Sequence, residues 1–238
     1  RQGQQTPGGP AAGRATPGSQ LLIERALYQD PQGRPLWVLV WGSLTDVAQA
    51  LHDDPSIAAS IRIYSIGSSN TMADEASRDW LRARLDDQFP NLWWIENGLL
   101  PRRSTDTFRG VYQGGVQEGE WGNQGFVQAN VRGHGAAGDA FPLATSPKDT
   151  LKEGDSPSML YLLSPLRARV GDVDDPSQPS WGGRFRREDA AKYPHYWVDL
   201  FRGDPDACQW TISRWRVDFL NDWKERWSWY VAEPRKSR

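Results

Sequence analysis

Between Pro35 and Asn70 the chain reads PLWVLVWGSLTDVAQALHDDPSIAASIRIYSIGSSN, and that succession of residue types admits few folds. Leu36–Trp41 is an unbroken apolar run, the pattern of a strand buried on both faces of a parallel sheet. Gly42 and Ser43 break it. Leu44, Val47, Ala48 and Leu51 then recur at helical spacing, and Asp54 followed by Pro55 and Ala58-Ala59 predicts a further helical turn. Ile61–Ile66 predicts a second strand. Two strands joined by a helix over so short a span run parallel through a right-handed crossover, and open α/β sheets place their ligands beyond the carboxyl ends of such strands. Those ends are Trp41–Gly42 and Gly67–Asn70.

The alternation continues downstream. Ala76, Trp80, Leu81 and Leu85 form one stripe within Asp74–Gln88, acids early and arginines late as the helix dipole favours, and Phe89-Pro90 ends it. Leu92–Ile95 predicts a third strand. The fold expected is therefore α/β, an open, mainly parallel sheet flanked by helices. Upstream, residues 1–20 are rich in Gly, Pro, Gln and Ala and hold no apolar anchor, which predicts a disordered tail before a single domain over 21–231. Leu21–Tyr28 has helical spacing and reads as the crossover helix of an earlier strand, so the sheet is expected to be N-terminally incomplete. Residues 232–238 read as a polar tail.

The second half is less periodic. Thr105–Asp139 carries glycine at 110, 114, 115, 119, 122, 125, 133, 135 and 138, and so long a glycine-rich stretch predicts a functional loop or lid over the site. No Lys-Ser or Lys-Thr follows those glycines, so a triphosphate cradle is not expected. Gly154-Asp155-Ser156-Pro157 opens a helix over Ser158–Leu163, with proline in the first turn. Arg167–Arg187 is polar and rich in Pro and Gly. Ile212, Trp215, Phe219, Trp223 and Trp227 predict one amphipathic helix from Thr211 to Trp227, its tryptophan stripe packed on the sheet.

Composition narrows the function classes. The chain has 238 residues, 38% hydrophobic and 24% charged, enough for one ordinary domain with a core. A net charge of −2 and a pI near 6.0 offer no basic surface for nucleic acid or an anionic membrane. No apolar run approaches the roughly 18 residues of a membrane span. The thirteen tryptophans are assigned mostly to the core, although an aromatic surplus is also how sugar-binding surfaces stack pyranose rings. Cys208 stands alone, so no disulfide framework exists within the chain.

The opening unit carries a likeness to known proteins. GSLTDVAQAL, followed by DDPSIAASI, an apolar strand and a Gly-Ser turn, resembles the GPLTN-type segment of the calcium-dependent nucleoside hydrolases. HGAAGDAFP at His134–Pro142, GDSPSMLYLL at Gly154–Leu163, SWGGRF at Ser180–Phe185 and the closing WTISRWRVDFLNDWKERWSW resemble the cellulose-binding, nucleoside-hydrolase-like bacterial proteins, over about Leu21 to Val231. The resemblance implies a calcium ion, with the main-chain carbonyl of Trp41 and the carboxylate of Asp155 among its ligands. It implies sugar contact at Asn70, where Ser68 replaces the acid of the superfamily's EFN motif, and candidate substrate contacts at His134 and Trp181. The partner implied is a carbohydrate or nucleoside-like small molecule, in an extracellular or periplasmic setting. The family's aspartate-rich opening strand has no counterpart in residues 1–34, whose only acids are Glu24 and Asp30, and neither has its C-terminal β-sandwich. No general base is therefore assigned.

Each candidate also has a plainer role. Asp155 before Ser-Pro suits a helix N-cap, His134 a loop histidine bonded to backbone, Asn70 a turn, and Trp181 a packed loop aromatic. Two function classes remain open: a calcium-dependent hydrolase of N-glycosidic or related sugar bonds, and a carbohydrate-binding protein that keeps the fold without the chemistry. Asp155 and Trp41–Gly42 favour the first, and Ser68 the second.

Overall fold

A computed structural model describes residues 7–28, 30–67, 69–98, 114–144, 150–151 and 153–230. Ser68, residues 1–6, the start of the glycine-rich stretch at 105–113 and the tail at 232–238 lie outside the described residues. The sequence reads as a single domain, but the chain gathers into two compact units. The first takes Arg1–Thr107 and Phe185–Pro205, the second Phe108–Arg184 and Asp206–Arg238.

The first unit holds a five-stranded sheet of order β1-β2-β3-β5-β4, formed by β1 Leu36–Val40, β2 Ile61–Ile66, β3 Trp93–Asn97, β4 Phe185–Arg187 and β5 Tyr196–Asp199. β1, β2, β3 and β5 run parallel and only β4 is antiparallel, so the mainly parallel α/β sheet read from the sequence is present. α1 Pro17–Ala26 precedes β1, and between the strands lie α2 Thr45–Asp53, a 3-10 turn at Pro55–Ala59, α3 Ser69–Ala73 and α4 Glu75–Arg82. The strand period of two sorts the residues. Val40, Ile61, Ile63, Trp94, Tyr196 and Val198 join Leu44, Val47, Leu51 and Leu81 in one apolar layer. β1 is an edge strand, and Leu36 to Leu39 are only half-buried, where the apolar run predicted cover on both faces.

Two buried carboxylates organise this unit. Asp74 caps α4 by accepting from Ser77 N, and also accepts from the hydroxyls of Ser77 and Thr45 at 2.6 Å each. Burial raises its carboxyl, but the bonds from Ser77, Thr45 and Gly8 overcome that and leave it below its ordinary value. Glu96 is wholly buried in β3, takes a two-pronged contact from Arg78 at 3.0 and 2.8 Å, and accepts from the Tyr196 hydroxyl. Burial opposes the Arg78 charge, yet Glu96 outweighs it and holds the guanidinium above its usual value.

The segment read as a disordered tail is fixed from residue 7 onward. Gly8 N–H donates to Asp74 Oδ1, Ala11 N–H to Gln49 Oε1 and Thr16 Oγ1 to Asp46 Oδ1. Helix α1 starts at Pro17 instead of Leu21, with Thr16 and Ser19 forming a reciprocal capping box. Backbone amides reaching polar side chains anchor this stretch, so its lack of apolar residues was no guide.

The second unit is helical: a 3-10 turn at Gly119–Trp121, α5 Asn123–Asn130, α6 Gly135–Ala140, α7 Ser156–Arg167, α9 Arg216–Ser228 and nearly all of α8 Pro205–Ser213. Its core joins Phe126, Val127, Val131, Leu151, Leu160, Trp181, Ile212, Phe219 and Leu220. The glycine-rich stretch predicted as a loop or lid is helical in much of its described part. A Cβ on Gly125 would lie 2.2 Å from Gly119 O, so glycine there lets backbone pack on backbone. The predicted closing helix is two helices, broken at Arg214-Trp215, and the tryptophans of its stripe meet aromatic side chains of the second unit. Trp223 stacks on Phe126 at 5.4 Å and lies edge-on to Phe141 at 5.8 Å.

Candidate functional site

The carboxyl ends of the parallel strands form the candidate site of the first unit, because the loops that leave them are the ones free to vary without disturbing the sheet. β1 is followed directly by Trp41, which is 56% exposed. β2 ends in Gly67, where a Cβ would lie 2.6 Å from Gly98 O, so the loops after β2 and β3 touch through their backbones. Gly67 N–H donates to Asn97 O at 2.7 Å. Asn97 is buried and its Nδ2 donates to the Tyr64 hydroxyl at 3.0 Å. β5 ends in Asp199, 8% exposed, whose Oδ2 accepts from Gly98 N–H at 2.7 Å. Among the described residues that follow these strand ends, Met72 on α3 and Phe201 after β5 are also exposed apolar side chains.

Of the residues singled out in sequence, Trp41 and Asn70 lie in this unit. Asn70 lies in α3, and its side chain donates Nδ2–H to Ile66 O at 2.9 Å, which ties that helix to the end of β2. Ser68 lies outside the described residues. Asp199 and Asn97 escaped the sequence reading. The signal for Asp199 is an apolar triplet ending in an acid, YWVD, too short to stand out among its polar neighbours.

Asp155, His134 and Trp181 belong to the second unit. Asp155 occupies the N-cap position of α7, yet its side chain makes no capping bond, so the cap expected from the sequence is not formed. Burial, with the nearby Glu153 charge second, raises its carboxyl above the ordinary value. His134 precedes α6, and its Nδ1 is buried without a hydrogen-bond partner among the described residues. Trp181 is 3% exposed within the apolar core, with its backbone N–H on Ser164 Oγ at 3.0 Å. A ring so enclosed has no face to offer a sugar, which corrects its assignment as a substrate contact.

The implied calcium is matched only in fragments. Calcium takes six to eight oxygens. Among the described residues no three His, Cys, Asp or Glu side chains gather closely enough to hold a metal ion. The Asp155 carboxylate has the right chemistry and lacks a cap bond, but the residues described do not by themselves build the site. Nor is any described helix long and apolar enough to cross a membrane.

No curated protein and no solved structure matches the chain. One family does, described as cellulose-binding Sde182, nucleoside hydrolase-like domain, and it matches residues 1–185. The match takes in the N-terminal segment that hydrogen-bonds onto α2 and α4, outside the span of about Leu21 to Val231 read from the sequence. It includes β1, β2 and β3 with the turns at their carboxyl ends. The chain belongs to the cellulose-binding, nucleoside-hydrolase-like domain family.

Proposed function

We propose that this protein binds a carbohydrate at the carboxyl edge of its parallel sheet, with Trp41 as the stacking platform, and that it does so without cleaving a glycosidic bond. The observation that supports this reading is the exposure of Trp41 just past a strand end of the first unit, while Trp94 and Trp197 of that unit are buried and the comparably exposed Trp210 and Trp229 belong to the second. Apolar surface left exposed at such a residue is covered when a pyranose ring lays its C–H face against an indole. Met72 and Phe201 extend apolar surface after neighbouring strand ends. The family's cellulose-binding description is consistent with such a ligand. The test is co-sedimentation of the full chain with insoluble cellulose. The wild type is expected to pellet with the polymer and Trp41→Ala to stay in the supernatant, while equal pelleting of the two removes Trp41 from the site.

The hydrolase reading rests on a separate observation, the uncapped and partly buried Asp155 carboxylate. A calcium ligand there predicts that Asp155→Asn loses calcium binding in calorimetry. If both proteins give the same calcium isotherm, Asp155 is not a ligand. Release of nitrophenol from a nitrophenyl riboside by the purified protein contradicts the non-catalytic reading directly.

A further inference from the structure

Arg216 opens α9 with only 1% of its surface exposed. Its Nε donates to Trp121 O at 3.0 Å and its Nη2 to Asn123 Oδ1 at 2.7 Å. Both acceptors are neutral. Its third nitrogen, Nη1, is buried with no hydrogen-bond partner among the described residues. Burial alone acts on the charge, lowering the guanidinium to about 10, so it remains a cation at neutral pH. Of the acids at this turn, Glu118 is exposed at its N-cap and Glu120 is directed to Lys224 at 3.8 Å. A buried cation without a counter-charge is costly, and such groups are found paired.

The same place is the amino end of α5, eight residues long, whose first residue is the Asn123 that Arg216 grips. Its N-cap is Gly122, which has no side chain to cap the first turn. The helix dipole and the guanidinium therefore add their positive potentials at one point. The preceding loop is pressed against the arginine, since a Cβ on Gly115 would lie 2.3 Å from Ser213 O and 3.0 Å from Arg216 Cβ. That packing holds the fork in place. We propose that Arg216 and the amino end of α5 form a binding site for a small oxyanion, a carboxylate or phosphate group seated on Nη1. The site belongs to the second unit and stands whether or not the sheet edge binds sugar.

The test uses the full chain, with sodium phosphate and sodium acetate as probes against sodium chloride at constant ionic strength. One of the two oxyanions is expected to raise the melting temperature saturably and to give a calorimetric isotherm, and which one does so tells phosphate from carboxylate. Asn123→Asp sets a carboxylate of the protein's own on Nη2, at a helix end that favours acids. It is expected to raise the melting temperature in chloride and to weaken oxyanion binding about tenfold or more. Arg216→Gln is expected to abolish the response, and the Asn123→Asp comparison carries the test if that variant does not fold. The proposal is overturned if neither oxyanion acts differently from chloride on the wild type, or if Asn123→Asp leaves the response unchanged.

Discussion

In the first unit, alternate residues of each parallel strand enter one apolar layer, and the polar groups that must be buried, Asp74 and Glu96, each find several partners. In the second unit the core joins aliphatic and aromatic side chains from helices and loops far apart in sequence, and backbone meets backbone where glycine leaves room. Its buried cation, Arg216, has only neutral acceptors. The contrast shows two ways of filling an interior. A periodic layer tolerates small errors of shape but is exposed to the loss of a buried charge partner. A glycine-packed interior is exposed to a single added methyl group.

The largest effect is expected where the first unit is vulnerable. Arg78→Ala leaves Glu96 charged and buried with the Tyr196 hydroxyl as its remaining side-chain partner, and should cost about 3–5 kcal/mol in denaturant unfolding. A loss below 1 kcal/mol would show that the pair is not what holds β3 to α4. Next comes the second unit. A Cβ on Gly182 would lie 2.4 Å from Pro157 O and 2.5 Å from Tyr161 N, so Gly182→Ala should destabilise by about 3 kcal/mol. Gly42, after β1, meets nothing within 4 Å, and Gly42→Ala should stay within about 0.5 kcal/mol of wild type. Equal thermal shifts in these two variants would break the contrast between the units.

A smaller effect is expected at Asp74. Asp74→Ala removes the acceptor of the Ser77 hydroxyl and of Gly8 N–H, leaves Thr45 Oγ1 with Ser43 alone, and should cost about 2 kcal/mol at neutral pH. Because the folded carboxyl lies below its unfolded value, its contribution is complete above the ordinary carboxylate range and is lost as pH falls through the folded value. The difference between wild type and Asp74→Ala should therefore shrink on acidification below about pH 4. A difference that is constant from pH 7 to pH 2 would mean that the carboxylate charge plays no part.

The same division explains what could be read in advance. β1, β2 and β3 were legible because buried parallel strands are apolar runs bounded by breakers, and Ile61–Ile66 falls where the residues put it. The strand-end turns followed from that. β5 was not legible, since four residues give no period, and with it went Asp199. The fixing of residues 7–16 depends on amides reaching Asp74 and Gln49, a contact that leaves no pattern in local sequence. In the second unit, glycine signals loops when read alone, whereas Gly125 and Gly138 serve close approach between helical turns and neighbouring backbone. Trp181 could not be told from a sugar-stacking ring by sequence, because burial is a property of what surrounds it.

The central claim is that the sheet edge binds sugar through Trp41, and titration calorimetry with a soluble cello-oligosaccharide tests it most directly. Trp210, 54% exposed on α8, supplies the control. Neither substitution should change the melting temperature by more than the equivalent of about 0.5 kcal/mol, since both side chains are surface aromatics. The account predicts that Trp41→Ala loses the binding heat while Trp210→Ala keeps the wild-type isotherm. Binding that survives Trp41→Ala, or that is lost with Trp210→Ala instead, would contradict it.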